Sequence, residues 1–206
     1  MIELPPPSQE QNDVINSLLI DESNIMLNSV AGSGKTTTAL HVAQACADKA
    51  VLLITYNKRL KLETRVKALM YDIRNLKSHS YHALGVFFYD DTCSRDAGIL
   101  RVIEENIPLR PKSLPNFDII IIDEAQDITG LLYKFMCKFL GDQFNISGKA
   151  PLFLIIGDAL QSIYAFKGAD ARYLTKADKL FPFNAQIWRT YHYQPVIEYQ
   201  EIWHNS

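Results

Sequence analysis

The sequence is poor in cysteine, and its three cysteines, Cys46, Cys93 and Cys137, are scattered along 206 residues. None belongs to a Cys-x-x-Cys pair, so we expect neither a disulfide framework nor a zinc site. The chain also lacks an apolar run long enough to span a bilayer, and its start has neither the basic nor the apolar part of a signal peptide. These absences predict an intracellular protein with no membrane partner, and they do not separate nucleus from cytoplasm.

Excess charge of either sign is missing as well, because 21 basic and 23 acidic residues leave a formal net charge of −2. Such a balance argues against capture of nucleic acid over the whole surface, although it permits a local basic groove. Apolar residues, in contrast, make up 48% of the chain. This fraction and the length predict one packed domain, or one domain with a small appendage.

Residues 28–37 have the pattern of a loop that holds a triphosphate, between a short apolar run and an Ala-rich stretch. In such a loop the backbone N–H groups and the positive end of the helix dipole face the phosphate oxygens. Lys35 is predicted to neutralise the β- and γ-phosphates, and Thr36 to offer its hydroxyl to Mg²⁺. Ser29 stands where the pattern usually has glycine, and the alternative is a chance Gly-Lys-Thr turn. The predicted nucleotide-binding residues of the loop are Ala31, Gly32, Ser33, Gly34, Lys35, Thr36 and Thr37.

Apolar runs alternate with helical stretches along the chain. This alternation indicates an α/β fold, with a mostly parallel sheet and helices on both of its faces. We expect a domain over residues 1–189 with a small insertion at about 85–116, followed at 190–206 by a tail or the start of a second domain. Strands are predicted at 25–27, 51–55, 75–78, 117–122 and 151–156, and helices at 38–47, 58–71, 80–89, 97–105 and 130–140.

Two adjacent carboxylates, Asp123 and Glu124, follow the strongest strand signal in the chain. Asp123 is predicted to hold Mg²⁺ through water, and Glu124 to orient and deprotonate the water that attacks ATP. The alternative is that the pair only caps the next helix. Together with the phosphate loop, the pair favours an ATPase over a kinase.

A third segment, residues 156–170, combines a strand end, a polar turn and aromatic residues beside Lys167. Gln161 is predicted to sense the γ-phosphate, because its amide can both donate and accept hydrogen bonds. Tyr164 and Phe166 can present flat faces on which bases stack. Aromatic residues two positions apart are also typical of a protein core, so this alternative stays open.

Residues 123–127 and 157–169 resemble motifs II and III of the UvrD/Rep/PcrA-like superfamily 1 DNA helicases. The sequence of residues 55–58 most resembles the F-box DNA helicase branch of that family. The resemblance covers nearly the whole chain in the family's order. It implies a P-loop NTPase of RecA-like fold, ATP and Mg²⁺ as cofactors, and single-stranded DNA as partner, with RNA not excluded.

The same resemblance implies further site residues. Gln11 would read the adenine edge, Trp188 would stack on adenine, and Arg189 would reach the γ-phosphate as a catalytic group beside Lys35, Glu124 and Gln161. The alternative for the pair at 188 and 189 is a buried aromatic residue with a surface cation. The residues expected to contact nucleic acid are Tyr56, Asn57, His82, Tyr164, Phe166 and Lys167.

In the helicases that the chain resembles, a second RecA-like domain follows and carries another arginine finger. Such an arginine can contribute about 10³–10⁵ in rate. We therefore expect nucleotide binding, weak ATPase activity at most and no unwinding by this chain alone, with the second domain supplied in cis or in trans. The main hypothesis is the motor domain of a 3′-to-5′ DNA helicase. The alternative is a non-motor ATP-binding regulatory module or a degenerate helicase remnant, and the sequence does not separate a fragment from a naturally truncated protein.

Overall fold

The structure is a computed structural model that describes residues 3–30, 33–56, 58–111, 115–161, 168–181 and 187–193. At its centre lies one sheet whose strands are all parallel, in the spatial order β3-β2-β4-β5-β1-β6. The strands are β1 (Asn24–Ser29), β2 (Val51–Thr55), β3 (Leu76–Ser80), β4 (Ile119–Ile122), β5 (Leu152–Gly157) and β6 (Trp188–Tyr193).

The central strands are apolar because both faces of the sheet are covered. Every residue of β2 and β4 is buried, as expected of parallel strands between two helical layers. Along β2, Leu52 and Ile54 point into one apolar cluster, whereas Val51 and Leu53 point into the other. The predicted α/β fold with a parallel sheet is thereby confirmed.

Helices pack on both faces of the sheet. The first three contribute to one cluster and the other five to the second, so the predicted two-sided arrangement is confirmed. They are α1 (Gln9–Leu19), α2 (Lys35–Ala45), α3 (Lys58–Met70), α4 (Tyr81–Phe88), α5 (Asp96–Glu104), α6 (Gly130–Ser147), α7 (Arg172–Thr175) and α8 (Ala177–Leu180).

Two segments differ in detail from the sequence-based expectation. The segment predicted as an insertion joins the main core, since Cys93, Ile99 and Val102 belong to the same apolar cluster as Phe135 of α6. The sixth strand runs beyond residue 189 to Tyr193, so the first residues of the expected tail lie in the sheet. The division of the chain into domains itself stays a prediction.

The parallel order of the strands brings the predicted motifs to one side of the sheet, which we call the carboxyl edge. The phosphate loop follows β1, Tyr56 follows β2, and the Asp123–Glu124 pair follows β4. Ligands of open α/β folds bind at this edge. No helix in the described ranges has the length and apolarity that crossing a membrane would need.

Candidate nucleotide and nucleic-acid sites

The phosphate loop ends at Gly34, which has a left-handed backbone with φ of 85° and directly precedes α2. A Cβ atom at this position would lie 3.2 Å from Nε2 of Gln11, so both the backbone and the space favour glycine. The next residue, Lys35, lies with its Nζ 3.4 Å from the carbonyl oxygen of Ser29 and 3.5 Å from Oε2 of Glu124. The loop lysine and the predicted catalytic carboxylate therefore lie side by side.

Ser29, which replaces the usual glycine, fits the loop without strain. Its backbone is not among the described positions with positive φ, so glycine is not needed there. Its hydroxyl bonds to the Ser33 hydroxyl, and Ser33 Oγ donates to the carbonyl of Val30 at 2.7 Å. The serine thus braces the loop from inside.

Gln11 lies beside the phosphate loop, as the resemblance implies. Its Oε1 accepts from the backbone N–H of Ser8 at 3.0 Å, which caps α1, and its Nε2 donates to Oγ1 of Thr38 at 3.2 Å. The amide therefore joins the start of α1 to the start of α2. Adenine recognition by Gln11 stays a prediction, and its amide keeps a second N–H and a second lone pair for it.

The acidic pair lies at the end of β4. Asp123 is only 2% exposed, and its Oδ1 accepts from the backbone N–H of Glu124 at 2.9 Å. Burial first, and then the neighbouring charge of Glu124, raise the pKa of Asp123 to about 7, whereas Lys35 lowers it in part. The same causes raise the pKa of Asp127 to about 6. A cation close to these carboxyls would favour their charged form.

Glu124 is held by a glutamine that sequence reasoning did not select. The Glu124 backbone is left-handed, with φ of 54° and ψ of 47°. Gln126 Nε2 donates to Glu124 Oε2 at 2.8 Å, and Gln126 Oε1 accepts from the backbone N–H of Asp158 at 3.0 Å. A Cβ atom at Gly157 would lie 2.4 Å from that Oε1, so the glycine makes room for the bridge. Gln126 thereby joins the ends of β4 and β5.

The donors at this place suit magnesium. Asp123 offers a carboxylate and Thr36 a hydroxyl, and Mg²⁺ prefers such oxygen ligands, completed by substrate phosphates and water. No group of three or more His, Cys, Asp or Glu that could hold a metal ion occurs among the described residues.

The turn after β5 begins with a buried aspartate. Asp158 is buried, and its Oδ1 accepts from the backbone N–H of Leu160 at 3.0 Å. Gln161 is exposed at the end of a 3-10 turn, so its γ-phosphate role stays a prediction. Several predicted site residues lie outside the described residues: Ala31, Gly32, Asn57, Tyr164, Phe166 and Lys167.

The structure corrects the expectation for Trp188 and Arg189. Both lie at the start of β6, where Trp188 pairs with Asn24 and Arg189 with Ile25, so they are at the amino end of β1. The Trp188 ring stacks on Phe153, with centroids 6.1 Å apart. The Arg189 guanidinium forms an ion pair with Asp21 at 3.1 Å. Because the strands are parallel, these side chains lie away from the phosphate loop.

The residues of β6 that do reach the carboxyl edge are His192 and Tyr193. They pair with Asn28 and Ser29 at the end of β1. Together with Asp158 they line a small cavity of about 160 Å³ beside the loop. Sequence reasoning missed them, because the pairing of β6 with β1 has no local signal in the sequence.

The other end of the carboxyl edge holds a groove of about 870 Å³ beyond β2 and β3. The predicted nucleic-acid contacts Tyr56 and His82 both line it, so the structure brings these two together. His82 Nε2 lies 2.8 Å from Oδ1 of Asp96. The other basic and aromatic side chains of this groove are Lys58, Lys61, Arg65, His79, Phe87 and Arg110.

The basic side chains of the groove lie close enough together to influence one another's titration. Burial and then the charges of Arg65 and Lys58 lower the pKa of Lys61. Burial, and then Arg65 and Lys61, lower the pKa of His79 to about 4. Phe87, with 47% exposure, adds an apolar ring to the same wall. Cations beside accessible rings are the combination that single-stranded nucleic acid requires.

Two family descriptions match the sequence. One is the type III restriction enzyme, res subunit, over residues 5–130, which is more than half of the chain. The other is the UvrD/REP helicase N-terminal domain, over residues 98–182.

Individual relatives agree with these matches. The putative ATP-dependent DNA helicase YjcD of Bacillus subtilis is 27% identical over 71% of this chain, which corresponds to 18% of the relative. The ATP-dependent DNA helicase UvrD2 of Mycobacterium tuberculosis is 29% identical over 41% of this chain and 11% of the relative. The chain therefore spans less than a fifth of these proteins. The Pif1 helicase structure from Candida albicans has the same fold, with a TM-score of 0.54 at 16% identity over 93% of this chain and 40% of that one.

Proposed function

The chain belongs to the UvrD-like superfamily 1 helicases, whose N-terminal domain it matches, and on this premise we propose that it is the ATP-binding motor domain of a DNA helicase that moves along single-stranded DNA. It also matches the type III restriction enzyme res-subunit family over more than half its length. The observation that carries the proposal is the contact of 3.5 Å between Lys35 Nζ and Glu124 Oε2. It joins the loop that would hold the phosphates to the carboxylate that would act on the attacking water.

The nucleotide would bind over the phosphate loop. Lys35, Thr36 and the N–H groups at the start of α2 would face the phosphates, and Asp123 with Thr36 would hold Mg²⁺. A cation held by these two residues would supply positive charge to the phosphate oxygens. When phosphate attracts Lys35, Glu124 loses its ion-pair partner and becomes free to accept a proton from water. Gln126 holds that carboxylate in place during the exchange.

The strand of nucleic acid would lie in the basic groove. Tyr56 and Phe87 would stack on bases, and Lys58, Lys61 and Arg110 would meet backbone phosphates. The preference for DNA rests on family membership, because stacking and phosphate contacts do not by themselves separate DNA from RNA. The groove and the phosphate loop follow strands of one sheet, so movement at one can reach the other.

Turnover by this chain alone is expected to be weak. Arg189 is paired with Asp21 at the amino end of the sheet, so it does not act as the arginine finger that phosphoryl transfer uses. A second RecA-like domain, in cis or in trans, would supply that charge and the alternating grip of a motor. A non-motor ATP-binding module remains the second candidate, because the same phosphate loop would serve it.

The experiment that tests the proposal measures Mg²⁺-ATP binding and hydrolysis by the purified chain with and without oligo(dT). We expect nucleotide binding and slow turnover that rises when oligo(dT) is added. In Lys35→Ala, nucleotide affinity should fall about 10–100-fold, because a charge-assisted contact contributes about 1.5–3 kcal/mol.

Lys149→Ala is the matched control, since that lysine pairs with Asp118 far from the loop, and its affinity should stay unchanged. Equal affinity of wild type and Lys35→Ala would contradict the assignment of the phosphate loop. Nucleotide binding without any response to oligo(dT) would favour the non-motor module.

A further inference from the structure

Tyr81, the first residue of α4, has a buried hydroxyl that forms no hydrogen bond within the described residues. The residue is 1% exposed. A buried hydroxyl without a partner destabilises a fold, whereas phenylalanine would fill the same space without that penalty. A group of this kind calls for a role outside the unliganded state.

The sheet register places the start of α4, which carries Tyr81, near the Asp123–Glu124 pair. Ser80 at the end of β3 lies beside Thr55 of β2, and the backbone N–H of Asp123 donates to the carbonyl of Ile54 at 2.9 Å. Neighbouring strands are about 4.8 Å apart, so Asp123 lies two strands, or about 10 Å, from the start of α4. A tyrosine side chain covers most of this distance.

A buried hydrogen-bond acceptor, the Asp127 carboxylate, lies after the end of β4. Asp127, at the end of the 3-10 turn Ala125–Asp127, is buried, and its Oδ1 has no hydrogen-bond partner within the described ranges. The charges of Asp123 and Asp127 add to burial in raising the pKa of Tyr81, so its hydroxyl lies in the field of both carboxylates. A donor and an acceptor, each buried and each without a hydrogen-bond partner among the described residues, therefore lie near the same end of the sheet.

The other side of the same helix turn lines the basic groove. Ser80 caps α4 by accepting from the backbone N–H of Ala83 at 3.4 Å, and Ser80, His82 and Ala83 all line the groove. A strand of nucleic acid bound there would contact the backbone turn that carries Tyr81. The turn after β4 that carries Asp127 also carries Glu124, the carboxylate beside Lys35.

We propose that Tyr81 is a positioning residue that couples the basic groove to the nucleotide site: when nucleic acid seats the start of α4, the Tyr81 hydroxyl donates a hydrogen bond to the Asp127 carboxylate and fixes the turn that carries Glu124. This inference rests on the proposed function, since it needs both ligands to bind. Coupling of this kind is reciprocal, so oligo(dT) and nucleotide each change the affinity for the other by one common factor.

The test measures the affinity for a fluorescent ATP analogue with Mg²⁺, with and without saturating oligo(dT), in wild type, Tyr81→Phe and Tyr89→Phe. Tyr89 is the matched control, because it is buried at the other end of α4 and its hydroxyl bonds to Asp142 at 2.7 Å. In wild type and Tyr89→Phe, oligo(dT) should change nucleotide affinity by about fivefold or more. In Tyr81→Phe the change should fall below about twofold, while each ligand alone binds within about twofold of wild type.

Thermal melting separates positioning from a structural role. Tyr81→Phe without ligands should melt no lower than wild type, because it loses an unsatisfied hydroxyl, whereas Tyr89→Phe should melt lower. Coupling that persists in Tyr81→Phe, or a lower melting temperature of Tyr81→Phe, would overturn the inference and leave the proposed function standing. Absence of coupling in wild type would overturn the inference and favour the non-motor module. Failure of wild type to bind either ligand would overturn the proposed function itself.

Discussion

The two halves of the carboxyl edge hold their polar side chains in different ways. The nucleotide half comprises residues 33–37, 123–127 and 158–161, and the groove half comprises the side chains that line the basic groove. In the nucleotide half Asp123 and Asp158 are almost fully buried, and Gln126 uses both ends of its amide. In the groove half Lys58 is exposed and the rings of Tyr56 and Phe87 are accessible in part.

This difference corresponds to two tasks, phosphoryl transfer in the nucleotide half and nucleic-acid binding in the groove half. Transfer of a phosphoryl group needs a few groups fixed in advance, so its side chains are buried and bonded to one another. Binding of a strand of any sequence needs charge and flat surface, and these tolerate mobility. Substitutions in the nucleotide half should therefore have large and specific effects, and those in the groove half should have smaller effects that depend on salt.

The largest effect is expected for Glu124→Gln, which keeps the shape of the side chain and removes the carboxylate that would act as general base. Turnover should fall about 10²–10⁴-fold, because that is the usual contribution of a positioned general base. Nucleotide affinity should stay close to wild type, and so should affinity for oligo(dT). Full residual hydrolysis, measured by phosphate release, would remove Glu124 from its predicted role.

The Gln126 bridge offers the next largest effect. Gln126→Ala should lower the free energy of unfolding by about 1–3 kcal/mol, because it leaves the buried N–H of Asp158 without its acceptor. It should also lower turnover, since Glu124 loses its support. The control is Gln143→Ala, which breaks a similar buried bridge to Phe117 away from the edge. If both variants lose stability but neither loses turnover, the bridge is structural only.

In the groove half, the double variant Lys58→Ala, Lys61→Ala should weaken oligo(dT) binding uniformly across sequences. The slope of log affinity against log salt should become shallower by about 1.4, or 0.7 for each lost phosphate contact to a single strand. Nucleotide affinity should not change. The control pair Lys176→Ala, Lys179→Ala removes two exposed lysines beside α8 and should leave the slope intact. An equal change in both pairs would point to net charge rather than to the groove.

A smaller effect concerns pH. The pKa of Asp123 is raised from 3.8 to about 7, so the folded state binds a proton that the unfolded state has already released between these values. Stability of the unliganded protein should therefore fall as pH rises through this window. Asp123→Asn should flatten that dependence of the melting temperature, and so should Mg²⁺ with nucleotide. A melting temperature that rises over the same window in wild type, but not in Asp123→Asn, would contradict this environment for Asp123.

The sequence predicted those parts of the fold and site that are local. The apolar runs that became β2 and β4, the loop before Lys35 and the Asp123–Glu124 pair each carry their signal within a few neighbouring residues. The positions of Trp188 and Arg189 were wrong, because they depend on which residues of β1 pair with β6. The F-box branch and the roles of Gln11 and Gln161 stay predictions.

Other features were invisible for the same reason. The bridge made by Gln126 joins residues that are 32 positions apart in the chain. Arg110 reaches the groove from a segment far from Lys58. Tyr81 and Asp127 follow β3 and β4, which are separated by β2 in the sheet, so their burial without partners emerges only from the assembled sheet.

The most direct test of the account maps both ligands on one protein by recording amide NMR signals while Mg²⁺-ATP analogue and then oligo(dT) are added. We predict that the nucleotide moves signals around Lys35, Glu124 and Asp158, and that oligo(dT) moves signals around Tyr56, Lys61 and His82. Signals of Arg189 and Asp21 at the amino end should stay in place. Nucleotide shifts confined to the amino end, or oligo(dT) shifts that leave the groove unchanged, would contradict the division of the carboxyl edge into these two halves.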